Sequence, residues 1–216
     1  MLFKSFSEKI NTTLGRLSPA RRIFLSFALV IFAGSLLLSL PFVQATSSQA
    51  TYFDHLFTAV SMVCVTGLFT QPVATTYNIW GQLICMFLIQ IGGLGLMTFI
   101  GIFYIQSKQK LSLRSRETIL ESFSYGETQS LMVFIRSIFL TTFIVEGLGA
   151  FLLSFRFVPE FGWGRGIFTS IFVAISAFCN AGFDNFGSTS LVAFQTDPLI
   201  NLVLAALIIT GGLGFM

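Results

Sequence analysis

The sequence predicts an all-α membrane protein, built from repeated units of an outer helix, a re-entrant half-length helix and an inner helix. Three observations carry that prediction. Charged residues make up only 10% of the 216 positions, where a soluble domain would hold roughly a quarter; the hydrophobic fraction is 54% and the mean hydropathy +0.85. Between His55 and Lys108 there is no charged residue for 52 positions, although one spanning helix needs only about 20. Finally, the chain repeats itself. FTAVSMVCVTGL at 57–68 returns as FVAISAFCNAGF at 172–183, with Phe57/Phe172, Ala59/Ala174, Ser61/Ser176, Cys64/Cys179 and Gly67/Gly182 matched, and IQIGGLGLM at 89–97 returns as IITGGLGFM at 208–216.

The elements follow in order. Residues 1–18 place Phe3, Phe6, Ile10, Leu14 and Leu17 at spacings of three and four, the pattern of an amphipathic helix lying in a membrane interface. Ser18-Pro19 is a helix start, and the uncharged residues 23–43 are long enough to span about 30 Å of hydrocarbon. The next apolar run is interrupted by Gly67, Pro72 and the polar stretch Thr75-Thr76-Tyr77-Asn78. A half-length helix that enters, turns and leaves by the same face fits it, followed by a full span over 79–105. A polar and charged segment then leads to a second unit: a span over 131–155, a half-helix over 167–179, a turn to 186, and a span starting at Pro198. The expected division is 1–18, a cytoplasmic N-terminus; 19–107, the first repeat; 108–130, a cytoplasmic loop; and 131–216, the second repeat.

Lys4, Lys9, Arg16, Arg21, Arg22, Lys108, Lys110, Arg114, Arg116 and Arg136 fall on one side of this arrangement, and only Arg156 and Arg165 on the other. The positive-inside rule therefore puts the N-terminus and the 108–130 loop in the cytoplasm. Both Cys-x-x-Gly turns are then reached from outside. The chain ends at Met216 inside the second GGLGFM and is expected to be the N-terminal part of something longer.

Irregular backbone at membrane depth is tolerated only where it is buried in protein or lines a watery cavity. Cation coordination is one reason for such a turn, since backbone carbonyls in an extended segment replace an ion's hydration shell. Glycine supplies the backbone angles this needs, and each half-helix presents its partially negative C-terminal end to the cavity. The candidate carbonyls are those of Val63, Cys64, Val65, Thr66 and Gly67, and of Phe178, Cys179, Asn180, Ala181 and Gly182. The alternative is a plain apolar loop; that the turn occurs twice, each time between a short and a long apolar helix, favours an ion or small-solute path. The pairs Gly92-Gly93 and Gly211-Gly212 either let neighbouring helices approach closely or mark a hinge or a slim surface beside a pore.

VCVTGL, SAFCNAGFD and the two GGLG[LF]M segments resemble the first two repeats of the membrane subunit of Ktr-type potassium-uptake systems (KtrB-like), within the Trk/Ktr/HKT superfamily. The likeness runs from the first span to Met216. It implies four outer-helix, pore-helix, inner-helix repeats around one pore, two of which this chain holds, with Gly67 and Gly182 as filter glycines. It further implies a homodimer in the bacterial inner membrane, K+ as the transported ion, Na+ as an activator in some members, and a cytoplasmic nucleotide-binding RCK regulatory subunit (KtrA-like). Glycine at 67 favours potassium, because many sodium-selective plant relatives have serine there. Two alternatives stand beside this: a two-repeat half subunit that dimerises to form the pore, and a non-conducting membrane scaffold with a degenerate pore fold.

Other residues are read more plainly. Glu146 lies ten residues after Arg136, about 15 Å along a helix and near the bilayer midplane. A charge there is expensive, so it should face protein or water, as a hydrogen-bond partner of the half-helix backbone rather than in direct contact with an ion. Asp184 is a solvated loop residue or a source of negative potential at the outer mouth. Asn180 is expected to brace the second turn. The three cysteines have neither disulfide nor zinc spacing. With one histidine and no HExxH, G-x-S-x-G or P-loop, the chain does not read as an enzyme. No covalently bound cofactor and no nucleic-acid partner are expected.

Overall fold

A computed structural model describes residues 19–95 and 130–213. They form helices α1 (Pro19–Leu38), α2 (Tyr52–Val63), α3 (Val73–Thr76), α4 (Ile79–Leu94), α5 (Ser130–Phe161), α6 (Trp163–Phe178) and α7 (Pro198–Gly212). Among the described residues there is no strand, only an isolated bridge between Gln44 and Tyr77, so the all-α expectation holds for them. The expected interfacial helix 1–18, the loop 108–130 and the basic residues within them lie outside the described residues. Val30–Leu94 and Ser137–Met216 form one compact unit, which carries the features below. The beginnings of α1 and α5 and Gly95 fall in a separate unit.

Several boundaries differ from the sequence expectation, each for a local reason. Helix α1 stops at Leu38 rather than running to 43. Leu40 precedes Pro41 and is extended (φ −68°, ψ 134°), as the ring of a following proline requires. Pro41–Val43 then makes a 3₁₀ turn. The loop after it is stitched to the segment before α4: Ala45 N–H donates to the Thr76 carbonyl (2.9 Å) and Asn78 N–H to that of Val43 (3.1 Å). Asn78 also starts α4. Its Oδ1 accepts from the N–H groups of Trp80 (2.9 Å) and Gly81 (3.2 Å), and its Nδ2 donates to the Phe42 carbonyl (2.6 Å). This satisfies helix-start amides that would otherwise be orphaned.

The span expected over 79–105 is not continuous, because α4 ends at Leu94 and Gly95 takes φ +74°, a left-handed stop that glycine favours. Helix α5 overruns its expected end at 155 and continues through Arg156 and Pro159 to Phe161. Arg156 does not interrupt it, because the side chain reaches outward to pair with Asp197 (Nε–Oδ2 3.0 Å). Helix α6 starts at Trp163, four residues earlier than expected, directly after the corner at Gly162. Its Gly166 lies so close to α5 that a Cβ there would stand 2.6 Å from the Phe157 carbonyl oxygen. Helix α7 starts at Pro198 as expected, with Asp197 Oδ1 capping the Leu199 (2.9 Å) and Ile200 (3.2 Å) amides.

Helix α5 buries Ile138, Thr142, Glu146, Leu153 and Phe157 along one stripe, yet its opposite face exposes Phe143, Ile144, Leu148 and Phe151. A helix apolar on both faces suits lipid rather than water. Over Arg136–Phe161 it is long and apolar enough to cross a membrane; Phe24–Leu38, Ile79–Leu94, Trp163–Phe178 and Pro198–Gly212 are shorter apolar helices.

Candidate functional site

Helices α2 and α6 hold 12 and 16 residues, about 18 and 24 Å at 1.5 Å per residue, less than the ~30 Å of a hydrocarbon core. Each ends at the matched cysteine, and the backbone then takes the same path twice. Cys64 and Cys179 close the helices in right-handed conformation. Val65 (φ 55°) and Asn180 (φ 57°) turn left-handed, and Gly67 (φ 74°) and Gly182 (φ 69°) do so again two residues later.

Two serines organise these turns. The N–H groups of Thr66 and Ala181 donate to the carbonyls of Ser61 (2.9 Å) and Ser176 (2.8 Å), and those of Val65 and Asn180 to Met62 (3.3 Å) and Ala177 (3.1 Å). This is the Schellman pattern that closes a helix on a left-handed residue. The serine hydroxyls then reach past the glycines: Ser61 Oγ accepts from Leu68 N–H (2.9 Å) and Ser176 Oγ from Phe183 N–H (2.8 Å). In a trans peptide the N–H and the preceding C=O point in opposite directions. With the amides of 66, 68, 181 and 183 drawn back to the short helices, the carbonyls of Val65, Gly67, Asn180 and Gly182 are directed away from them.

The remaining candidates are placed differently. The Val63 and Phe178 carbonyls lie against the inner helices. A Cβ on Gly92 of α4 would be 2.6 Å from the Val63 oxygen, and one on Gly211 of α7 would collide with that of Phe178. The first glycine of each GGLG thus makes room for the last helical carbonyl of its own unit, which is the close-approach role. Gly93, the next residue, abuts the side chain of Cys179 in the other turn. The two turns meet at their glycines: a Cβ on Gly67 would stand 3.0 Å from the Ala181 oxygen, and one on Gly182 3.3 Å from the Gly67 Cα. Cys64 is exposed and Cys179 buried.

The surroundings tie each turn down. Asn180 Nδ2 donates to the carbonyls of Ile208 (3.3 Å) and Phe178 (3.4 Å), the bracing expected of it. Asp54 at the start of α2 accepts from the Thr51 amide (2.8 Å) and from the hydroxyls of Thr51 and Thr70 (both 2.7 Å). These bonds, the Thr51 amide foremost, hold its carboxyl below the usual carboxylate range and anchor the limb that leaves Gly67. On the second turn Asp184 plays that part through the Ser190 hydroxyl and the Phe186 amide (3.0 Å), so it is bound into the loop rather than merely solvated. Glu146 is buried, and its Oε1 meets side chains rather than half-helix backbone: it accepts from Gln90 Nε2 (2.9 Å) and the Cys179 thiol (3.9 Å). His55 pairs through Nδ1 with the Tyr77 hydroxyl (2.9 Å). Sequence reasoning assigned no role to Ser61, Ser176 or Gln90, although the serines were among the matched pairs.

Residues 22–216 match the model of the TrkH family, described as a cation transport protein. The chain is 43% identical to the potassium/sodium uptake protein NtpJ of Enterococcus hirae, over 93% of its own length and 44% of that protein. It is 38% identical to the Ktr system potassium uptake protein B of Bacillus subtilis (93% and 44%) and 39% identical to the protein of that name from Vibrio alginolyticus (90% and 42%). The chain spans less than half the length of these curated relatives.

Proposed function

The chain belongs to the TrkH family of cation transport proteins, and from that premise we propose that it supplies two of the backbone strands that select K+ in a membrane uptake pathway. In this reading α2 and α6 are re-entrant pore helices. The carbonyls of Val65 to Gly67 and Asn180 to Gly182 face the ion, and those of Cys64 and Cys179 line its approach. The Val63 and Phe178 carbonyls seat the inner helices.

The observation that carries the reading is the pair of identically shaped turns, joined glycine to glycine, whose amides are drawn back by Ser61 and Ser176. Such a limb leaves oxygen rather than N–H to face a cation, and oxygen ligands replace its water. The relatives' names, potassium uptake protein and potassium/sodium uptake protein, support K+ as the cargo and Na+ as a second ion.

The setting we propose is a multi-pass protein of the bacterial inner membrane with a cytoplasmic N-terminus, acting as a homodimer with a cytoplasmic nucleotide-binding RCK partner. The name Ktr system, borne by two of these relatives, supports a transporter of more than one component. The test is rubidium uptake in potassium-uptake-deficient bacteria expressing the native gene at its full length. Saturable uptake that K+ displaces far better than Na+ is expected, and no uptake above the empty strain with the regulator co-expressed overturns the reading.

A further inference from the structure

We propose that Glu146 is a positioning residue for the second turn, holding Cys179 in place and with it the strand Asn180 to Gly182. The inference rests on the reading of that strand as ion-contacting.

Helix α4 carries both Gln90 and Gly93. Gln90 and Gly93 are three residues apart and so share a face of the helix. Gly93 abuts the Cys179 side chain so closely that any Cβ would strike its Sγ. One turn back, Gln90 Nε2 donates to Glu146 Oε1 at 2.9 Å, and the same oxygen accepts from the Cys179 thiol at 3.9 Å. Glu146 is 5% exposed, Gln90 7% and Cys179 8%. One oxygen from α5 therefore joins two donors, one on α4 and one at the residue that begins the second turn. Cys179 thus touches both Gly93 and Glu146.

Cys179 is the last residue before the left-handed Asn180, so its position sets where the carbonyls of Asn180 and Gly182 point. The first turn is built otherwise: its matched cysteine, Cys64, is exposed. Removing a buried acceptor shared by two donors leaves both unpaired, whereas a neutral amide in its place keeps an acceptor oxygen of the same reach. The two turns are thus held by unequal means, and the second depends on a side chain from outside its own half-helix.

The test uses the full-length protein in the uptake-deficient strain, with membrane abundance measured for each variant. Glu146→Leu and Cys179→Ala should each raise the Rb+ KM by about fivefold, the size of one lost hydrogen bond, and let Na+ compete better. The double variant should be no worse than either single, since the residues act as one unit. Glu146→Gln should restore wild-type KM. A readout independent of transport is the rate at which N-ethylmaleimide labels Cys179, located by mass spectrometry; it should rise in Glu146→Leu. If Glu146→Leu is not produced, Cys179→Ala against Cys179→Ser decides, the hydroxyl keeping a donor. Unchanged KM, Na+ competition and labelling overturn the proposal, as does an effect confined to abundance. Loss of wild-type uptake with faster Cys179 labelling in Glu146→Leu would instead remove the transport reading and keep the brace.

Discussion

A Cβ placed on Gly182 would stand 3.3 Å from the Cα of Gly67, so two residues 115 positions apart bring their backbones into contact. Both carry φ near +70°, a conformation that strains any side chain-bearing residue. A substituent at either position would be strained by these angles and would press the facing backbone back by a few tenths of an ångström. The turns meet because each is closed onto its own short helix in the same way, and each is seated by a glycine of the inner helix that follows.

The serine braces should differ in weight. Phe183, whose amide Ser176 accepts, is buried, while Leu68 is exposed. Ser176→Ala leaves a buried amide without a partner and should lower stability by about 1–3 kcal/mol; Ser61→Ala should lose less, because water replaces the hydroxyl. Thermal unfolding in detergent, compared between the two, checks the order. Equal losses would mean that burial does not separate the braces.

Adding a methyl group to the seating glycines should push the inner helices off the short ones. Gly92→Ala and Gly211→Ala are each expected to destabilise by about 1–3 kcal/mol, as overpacking does. Gly211→Ala should be the worse, since its Cβ has less space. Wild-type melting temperatures for both would contradict the packing described for Val63 and Phe178.

Val65 is a β-branched residue in left-handed conformation, where its counterpart is Asn180. Asparagine tolerates that region and valine does not. Val65→Asn should therefore stabilise by on the order of 1 kcal/mol, seen as a higher Tm. A lower Tm would mean that packing of the valine methyls outweighs the strain.

Asp197 caps α7 and pairs with the half-exposed Arg156. The cap should dominate: Asp197→Ala is expected to cost about 1 kcal/mol, and Arg156→Ala less, as surface pairs contribute little. Asp197→Asn, which copies the Asn78 cap of α4, should be close to neutral. A large loss in Asp197→Asn would reverse the ranking and assign the stability to the ion pair.

Much of this was legible in the sequence. Scarcity of charge and the repeated Cys-x-x-Gly and GGLG segments gave the helical class, the two turns and their glycines. Apolar runs misplaced the helix ends, because ends depend on local stereochemistry. Leu40 before Pro41 stopped α1 early, Gly95 stopped α4, and Arg156 failed to stop α5 because its side chain had an acidic partner outside the helix. The candidate site was legible as two turns and their backbone atoms but not as a division of labour among them. That Val63 and Phe178 seat helices follows from the close approach of Gly92 and Gly211, and that Val65 and Gly67 face away follows from hydrogen bonds to Ser61; only the folded backbone reveals either. Glu146 was visible as an anomaly; its partner Gln90 lies 56 positions away with no pattern linking the two.

The most direct test of the central claim is rubidium uptake by the full-length protein carrying Gly182→Ser, beside wild type and Gly164→Ala. Gly164 has open space around it and no left-handed backbone. At equal membrane abundance, uptake should collapse in Gly182→Ser and persist in Gly164→Ala. Uptake indifferent to Gly182→Ser would show that ions do not pass the meeting point of the two turns.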